Sequence, residues 1–396
     1  MYPHLTDTYH EVNIMKYRRF GELDFEPSAL GFGAMRLPCE EDNRGNIDED
    51  EAIEMIRYAI DNGVNYVDTA WPYHDGKSEE FVGKVLKDGY RKKVKLATKL
   101  PSWEIEDSSD PDEYLDKQLE RLDTDHIDFY LLHALSRKHW NNYQELDIDI
   151  FEWMKEKRDE GKISYLGFSF HDDLDIFKEI VDTYDWDFCQ IQYNYFDQKF
   201  QAGREGLKYA ASKGLGVIIM EPLRGGKLAK EPPETIKDIW DRSDKDWSPV
   251  KWALRWLWDQ PEVSLVLSGM STMEQVEENV EIAGDSGVNT LSADDRQIVN
   301  EVAEKYKELS PVDCTGCNYC MPCPNGVMIT HNFRLYNQAE IYDEYEKNRE
   351  KYNKHMDEEK RASACVRCGA CEEACPQNLP IMDLLEDVAA YFENPR

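Results

Sequence analysis

The chain has 396 residues, of which 41% are apolar and 12% aromatic, enough for one large core and a smaller module. Its 80 acidic residues outweigh 47 basic ones, giving a formal net charge of −33. A surface of that sign repels phosphate backbones, so nucleic acid is not an expected partner, and solubility among counterions in a salty cytoplasm is the simpler use of the charge. No apolar run of 18 residues predicts a membrane span, and the polar stretch from Met1 to Arg19 has no secretion-signal core.

From residue 28 to 290, short apolar runs alternate with longer amphipathic stretches. Ala29 to Leu37 reads as a strand, or as the opening of one. Asp48 to Asn62 reads as a helix with Ala52, Ile53, Ile56 and Ile60 on one face. Strands are then predicted over 65–70, 94–100, 127–133, 165–170, 188–193, 217–220 and 263–267. Helices are predicted over 78–87, 112–122, 149–161, 174–184, 206–213, 249–259 and 273–283. Ile127 to His133 is apolar enough to be buried on both faces, Gly161 and Gly214 are helix stops, and Pro249 opens a helix. A further helix is expected over 292–309, and Ser310-Pro311 marks a boundary. The charged stretch from Asn332 to Lys360 is expected to be helical.

Eight strand–helix units in this order mean a parallel sheet with crossover helices. At this length a closed (β/α)8 TIM barrel is favoured over an open doubly wound sheet, which the missing Gly-x-Gly-x-x-Gly also disfavours. The expected division is a barrel over 1–310 and a small second domain over 311–396.

Catalytic residues of such barrels sit at the C-terminal strand ends. Four polar residues fall there: Asp68, Tyr73 in the loop that follows it, Lys99 and His133. A free tyrosine titrates near pH ~10, too high for a fast donor at neutral pH, and a neighbouring ammonium lowers that value. Lys99 is expected to tune Tyr73 in this way, Asp68 to hold Lys99, and His133 to orient a carbonyl or share the proton relay. One such residue is more often structural; four on three successive strands are hard to explain by hydrogen-bond satisfaction alone.

With these residues the chain resembles the aldo/keto reductase family over residues 16 to 290. The resemblance extends through Gly31-Phe32-Gly33-Ala34-Met35-Arg36, Gly167-Phe168-Ser169 and Gln190-Ile191-Gln192-Tyr193-Asn194. It continues in Glu221-Pro222-Leu223-Arg224-Gly225-Gly226-Lys227-Leu228 and Ser268-Gly269-Met270-Ser271-Thr272. It implies NADPH or NADH across the barrel mouth and a small carbonyl or alcohol substrate. By position it implies Ser169 and Gln192 at the carboxamide and Tyr193 near the nicotinamide ring. It further implies Leu223, Gly225 and Lys227 along the pyrophosphate, and Ser271, Gln275, Glu278 and Asn279 at the adenosine end. Met270 and Val276 stand where many NADPH-specific members carry Lys and Arg. Trp71, Trp103, Trp140 and Phe196 are candidates for the substrate pocket.

Of ten cysteines, only Cys39 and Cys189 precede residue 314. The other eight form two runs, Cys314, Cys317, Cys320, Cys323-Pro324 and Cys365, Cys368, Cys371, Cys375-Pro376. Such clustering favours a metal site in a reducing, cytoplasmic compartment over disulfides. The second run has the bacterial ferredoxin spacing C-x2-C-x2-C-x3-C-P; the first is one residue short before its last cysteine. Structural zinc is the rival, but it usually takes paired C-x2-C motifs. Resemblance to two-cluster ferredoxins implies two [4Fe–4S] clusters with crossed ligands. One takes Cys314, Cys317, Cys320 and Cys375; the other takes Cys365, Cys368, Cys371 and Cys323. The gap of about 40 residues between the runs resembles the helical ferredoxin domains of multi-subunit reductases.

Three functions follow: a nicotinamide-dependent carbonyl reductase, an electron-transfer protein serving a redox-protein partner, or a non-catalytic binding subunit, against which the complete tetrad argues. A hydride carries two electrons and a cluster exchanges one, so a flavin is a chemically sensible bridge, although no sequence motif specifies one.

Overall fold

The computed structural model describes residues 14–40, 43–146, 148–316 and 318–394. Cys317 lies outside the described residues, as does most of the polar N-terminal stretch read for a secretion signal.

Eight parallel strands close into a barrel: β1 Leu30–Gly33, β2 Tyr66–Asp68, β3 Lys95–Leu100, β4 Ile127–Leu135, β5 Ile163–Phe170, β6 Phe188–Gln192, β7 Gly216–Met220 and β8 Leu265–Ser268. Each pairs with its sequence neighbour, and β1 pairs with both β2 and β8. The period of two along each strand sorts the side chains. Tyr66, Ala97, Phe129, Leu131, Phe188, Ile218, Leu265 and Leu267 fill the interior with Phe20. Their neighbours in sequence pack outward against the helices in the main core. The filling is tight enough that a Cβ on Gly167 would lie 2.6 Å from the Phe188 ring. Continuing the inward period towards the C-terminal ends gives Asp68, Lys99, His133, Ser169, Gln190 and Met220, which is why polar chemistry gathers above an apolar plug.

The helix predicted from Asp48 runs over Glu49–Asp61 with Asp48 as its cap, and the helix predicted from Ser292 runs over Ala293–Leu309 with a capping box between Ser292 and Asp295. β1 occupies only the first part of the stretch 29–37, ending at Gly33, and the chain turns so that Arg36 reaches the barrel mouth. A polar hairpin, Cys39–Glu40 with Asn43–Ile47, and the helices Arg137–Glu145 and Glu234–Trp240 were not anticipated.

A second core cluster gathers residues between Val312 and Phe392. The charged stretch expected to be helical forms two helices, Ile329–Ile341 and Tyr345–Lys354, separated at Asp343, whose φ of +53° lies outside helical space. The helix Ile381–Glu393 closes this core with Ile381, Leu385, Val388 and Phe392 buried at helical spacing. The C-terminal domain rests on the barrel mouth. Arg224 donates to Asp313 at 3.2 Å, and Gln201 donates to the backbone oxygen of Pro376. At Gly225, φ +65°, a Cβ would meet the Thr315 carbonyl oxygen at 2.0 Å, so only glycine lets the two loops touch. Among the described residues no helix is long and apolar enough to cross a membrane.

Candidate active site and cysteine cavities

Asp68 ends β2, Lys99 lies next to the end of β3, and His133 projects from β4. The Lys99 ammonium donates to both Asp68 oxygens at 2.7 and 2.8 Å and to the Thr69 carbonyl at 2.8 Å. Both side chains are sealed from solvent, at 0% and 1% exposure. Strand β3 is held from behind, where Gln118 donates to the Lys99 carbonyl at 3.0 Å and to the buried Glu79 carboxylate at 2.6 Å. Tyr73 Oη lies 3.5 Å from Lys99 Nζ, and the Tyr73 and His133 rings meet edge to face at 6.1 Å. The four residues expected at the reacting carbonyl therefore share one place.

Their electrostatics differ from the expectation in one respect. Burial, reinforced by the nearby Tyr319, Asp68 and Glu221, pushes the Tyr73 phenol well above its ordinary range. The Lys99 ammonium, 3.5 Å away and bonded to Asp68 and Thr69, does not offset that rise. Burial lowers Lys99 and raises Asp68, each opposed by the other's charge. Burial, then the Lys99 charge, pushes His133 well down, so its imidazole is neutral. His133 Nδ1 is buried without a hydrogen-bond partner among the described residues, while Nε2 lies 3.3 Å from the Tyr319 hydroxyl.

A cavity of about 390 Å³ runs from Asp68, Tyr73 and His133 across the barrel mouth. Seven of the expected cofactor residues line it: Ser169, Leu223, Gly225, Ser271, Gln275, Glu278 and Asn279. Ser271 donates its hydroxyl to the Arg36 carbonyl at 2.7 Å and its backbone N–H to Gln275 at 2.8 Å, and Asn279 donates to Ser268 at 3.1 Å. Met270 and Val276 are buried and do not line the cavity.

Three of the residues expected at the cofactor do not line this cavity. Tyr193 is out of phase with the inward residues of β6. It packs outward, 5.2 Å from the Trp256 ring, and its hydroxyl donates to Gln260 at 3.0 Å. Gln192 is in phase but too high: it pairs with Gln377 at 2.8 Å and with Asp197 at 3.0 Å. Lys227 faces a different cavity. The cavity-facing residues of these strands are Gln190, whose Oε1 is buried without a partner among the described residues, and Met220, 3.5 Å from Gln190 Nε2. The two-residue period from Phe188 would have found Gln190. No signal along the chain pointed to Thr315, Tyr319, Pro376 and Gln377, which roof the cavity from the C-terminal domain.

The aromatic candidates for substrate contact also fall elsewhere. Trp140 is core, 5.7 Å from Phe151, and Trp71 packs under Arg121 at 3.5 Å. Phe196 lies under Arg224 at 4.0 Å. Trp103 alone approaches the site, 5.0 Å from the His133 ring.

The described cysteines of the two runs surround two narrow apolar cavities. Cys314, Cys320 and Cys375 line one with Phe333, Leu379 and Ile381. Cys323, Cys365, Cys368 and Cys371 line the other with Val327, Ile329 and Leu385. Backbone N–H groups donate to sulfur in each, from Gly316 to Cys314 at 3.3 Å and from Arg367 to Cys365 at 3.4 Å. Cys39 and the buried Cys189 stand apart, and no disulfide forms among the described cysteines.

The model of the aldo/keto reductase family matches residues 29–304, and that of the 4Fe-4S dicluster domain matches residues 313–379. The chain belongs to the aldo/keto reductase family. This aldo/keto reductase is 28% identical over 328 residues to the aldo-keto reductase YhdN of Bacillus subtilis, covering 73% of this chain and 94% of that one. It is 27% identical over 336 residues to the NADH-specific methylglyoxal reductase of Escherichia coli, covering 73% and 99%. The holo form of aldo-keto reductase AKR11C1 from Bacillus halodurans superposes with a TM-score of 0.61 at 28% identity, covering 73% of this chain and 96% of that one. The enzyme is thus an aldo/keto reductase-type oxidoreductase carrying a C-terminal 4Fe-4S domain.

Proposed function

We propose that the barrel reduces a small carbonyl compound, or oxidises the corresponding alcohol, with NADH or NADPH. Tyr73 is the proton donor, Lys99 and Asp68 the buried pair behind it, and His133 the neutral group that orients the substrate oxygen. The observation that carries this reading is the sealed Lys99–Asp68 pair beside a protonated phenol at the end of a long open cavity. The buried phenol carries the proton that the carbonyl oxygen must receive, and its raised pKa makes it a slower donor than one tuned near neutrality. The nicotinamide fits the residues present: the orphaned Gln190 Oε1 and the Ser169 hydroxyl offer partners for a carboxamide, and the Ser271–Asn279 segment suits the adenosine end. The cofactor supplies a hydride; the chain's residues orient the carbonyl, exclude water and deliver the proton from Tyr73 Oη. Buried Met270 and Val276 leave no cation at the two positions that hold a 2′-phosphate, which favours NADH, and the NADH-specific E. coli relative agrees with that preference.

In the C-terminal domain, crossed sets of thiols around two dry cavities, with N–H donors to sulfur, fit two [4Fe–4S] clusters. Soft thiolates around cavities that no carboxylate lines among the described residues suit iron–sulfur chemistry. Turnover of an aldehyde and ketone panel with NADH by anaerobically purified protein tests the barrel. Tyr73→Phe should retain NADH binding and lose turnover by roughly 10²–10⁴-fold, and undiminished turnover would refute the assignment.

A second reading adds electron exchange between clusters and barrel, directly, through a bound flavin or through a redox-protein partner. The observation favouring it is the Tyr319–His133 contact, since Tyr319 adjoins Cys320. Mixing with NADH should then bleach the cluster absorption and yield an EPR signal, and any released flavin should appear on denaturation. Intact clusters that stay oxidised beside an active barrel would leave them a structural role.

A further inference from the structure

Tyr319 lies beyond the residues matched by the barrel family model, yet its side chain lines the same cavity as Tyr73 and His133. Its hydroxyl is 3.3 Å from His133 Nε2. Its ring stands 6.5 Å from the His133 ring and 6.5 Å from the His171 ring, edge to face with both. Burial pushes His133 well down and His171 down to about 4, so both imidazoles are neutral. Tyr319 therefore occupies an uncharged slot between the C-terminal ends of β4 and β5.

The backbone presents the ring there. Asn318, at φ +67°, accepts from the Thr330 hydroxyl at 2.6 Å through its side chain, and its carbonyl accepts from the Met321 N–H at 2.9 Å. Tyr319 thus rides on a closed turn tied to the helix Ile329–Ile341. The barrel's own loops supply less. Trp71, Trp140 and Phe196 pack elsewhere, and Trp103 meets the His133 ring at 5.0 Å.

Space is short at this end. The whole cavity is about 390 Å³ and extends to Glu278 and Asn279. A cavity of roughly 300–1,000 Å³ ordinarily holds one drug-sized ligand. On the reductase reading this one takes the cofactor and the substrate together, so little room remains beyond the reacting carbonyl.

We propose that Tyr319 is a specificity-determining residue of the reductase: its ring closes the substrate end between His133 and His171 and restricts the reaction to short, open-chain carbonyl compounds. The inference rests on the reductase reading, in which the substrate oxygen lies between Tyr73 Oη and His133 Nε2. A bulky substituent that extends from that carbonyl towards the C-terminal domain meets the Tyr319 ring. Tyr319 belongs to the stretch matched by the 4Fe-4S dicluster model. The appended domain then selects the barrel's substrates whether or not it passes electrons to them.

The test compares two aldehydes that share a reacting end, propionaldehyde and 3-phenylpropionaldehyde, in nicotinamide-linked turnover by the full-length, anaerobically purified protein. The wild type should favour propionaldehyde in kcat/KM. Tyr319→Ala should shift the ratio of the two kcat/KM values towards the phenyl compound by roughly tenfold or more. Tyr319→Leu should shift it the same way and serves if Tyr319→Ala fails to fold. Tyr319→Phe, which keeps the ring, should leave the ratio within about threefold. Gln377→Ala is the control for a loosened roof: it removes the 2.8 Å bond to Gln192 and spares the ring, so it too should leave the ratio within about threefold. A wild-type preference for the phenyl compound, an unchanged ratio in the Ala and Leu variants, or an equal shift in Tyr319→Phe or Gln377→Ala would overturn the proposal while leaving the reductase reading in place. Absence of wild-type turnover with both aldehydes and with the wider carbonyl panel would instead remove the reductase reading, and this proposal with it.

Discussion

Replacing Lys99 by Met keeps the side-chain length and removes the charge. Asp68, 1% exposed, then loses the ammonium that bonded both its oxygens at 2.7 and 2.8 Å. Removing one member of a buried pair costs about 3–5 kcal/mol, because the other charge is left uncompensated. A loss of that size moves a urea midpoint by roughly 1 M or more. The carboxylate has one escape, which is to bind a proton. Burial already raises the Asp68 pKa against the opposing Lys99 charge; without Lys99 the rise is larger. A group whose folded-state pKa is raised holds its proton in the native state, so its stability is present at low pH and is lost as pH rises through the folded value. The destabilisation of Lys99→Met should accordingly be smaller near pH ~5 than near pH ~8. The double variant Lys99→Met/Asp68→Asn removes the stranded charge and should recover most of the lost stability near pH ~8, while carbonyl turnover stays low in both. Anaerobic urea unfolding followed by tryptophan fluorescence, beside NADH-linked turnover, reads both effects. Equal midpoints for the single and double variants, or a loss independent of pH, would refute the claim that this pair is sealed and ionised.

Tyr319→Phe removes the hydroxyl facing His133 and should change kcat/KM by less than tenfold, well below the Tyr73→Phe loss; a larger effect than that of Tyr73→Phe would make Tyr319 the proton donor. Iron and acid-labile sulfide analysis of the anaerobic protein should give about eight of each per chain. Stoichiometric zinc without visible absorption would remove the clusters.

The barrel was legible because strand ends could be read from apolar runs, and the tetrad because its four members sit at or just beyond those ends. Asp68, Lys99 and His133 needed only the period of two and the C-terminal direction. The same period, applied from Phe188, selects Gln190 and rejects Tyr193; family position alone pointed to Gln192, which stands one layer higher and meets Gln377. The large aromatics misled because size favours burial wherever a gap exists. Trp140 fills the layer between β4 and its helices, and Phe196 supports Arg224. The net rise of the Tyr73 phenol could not be read from the chain because burial outweighs a neighbouring ammonium, and Thr69, whose carbonyl takes part of that ammonium, gives no hint in sequence. Tyr319, Thr315 and Gln377 lie more than 180 residues from the His133 to which the roof is fitted, and nothing local encodes that docking.

That roof bears on how the clusters can be assigned a role. Thr315 follows Cys314, Tyr319 precedes Cys320, and Gln377 lies two residues past Cys375. With Pro376, next to Cys375, all four roof residues therefore flank thiols of the same cavity, and none adjoins a thiol of the other. The segment from Val312 to Met328 contains no helix or strand among its described residues, so little beyond its side-chain anchors and the group its thiols hold can fix its path. On the proposed assignment, stripping the first cluster loosens the cover over Tyr73 and His133 whether or not that cluster ever carries an electron. Loss of carbonyl turnover after chelation consequently supports a staple and a redox relay equally well. Only a signal from the cluster itself, its reduction by NADH in an otherwise intact protein, separates the two. The Tyr319–His133 contact makes the first cluster, of the two, the one whose spectrum should be watched.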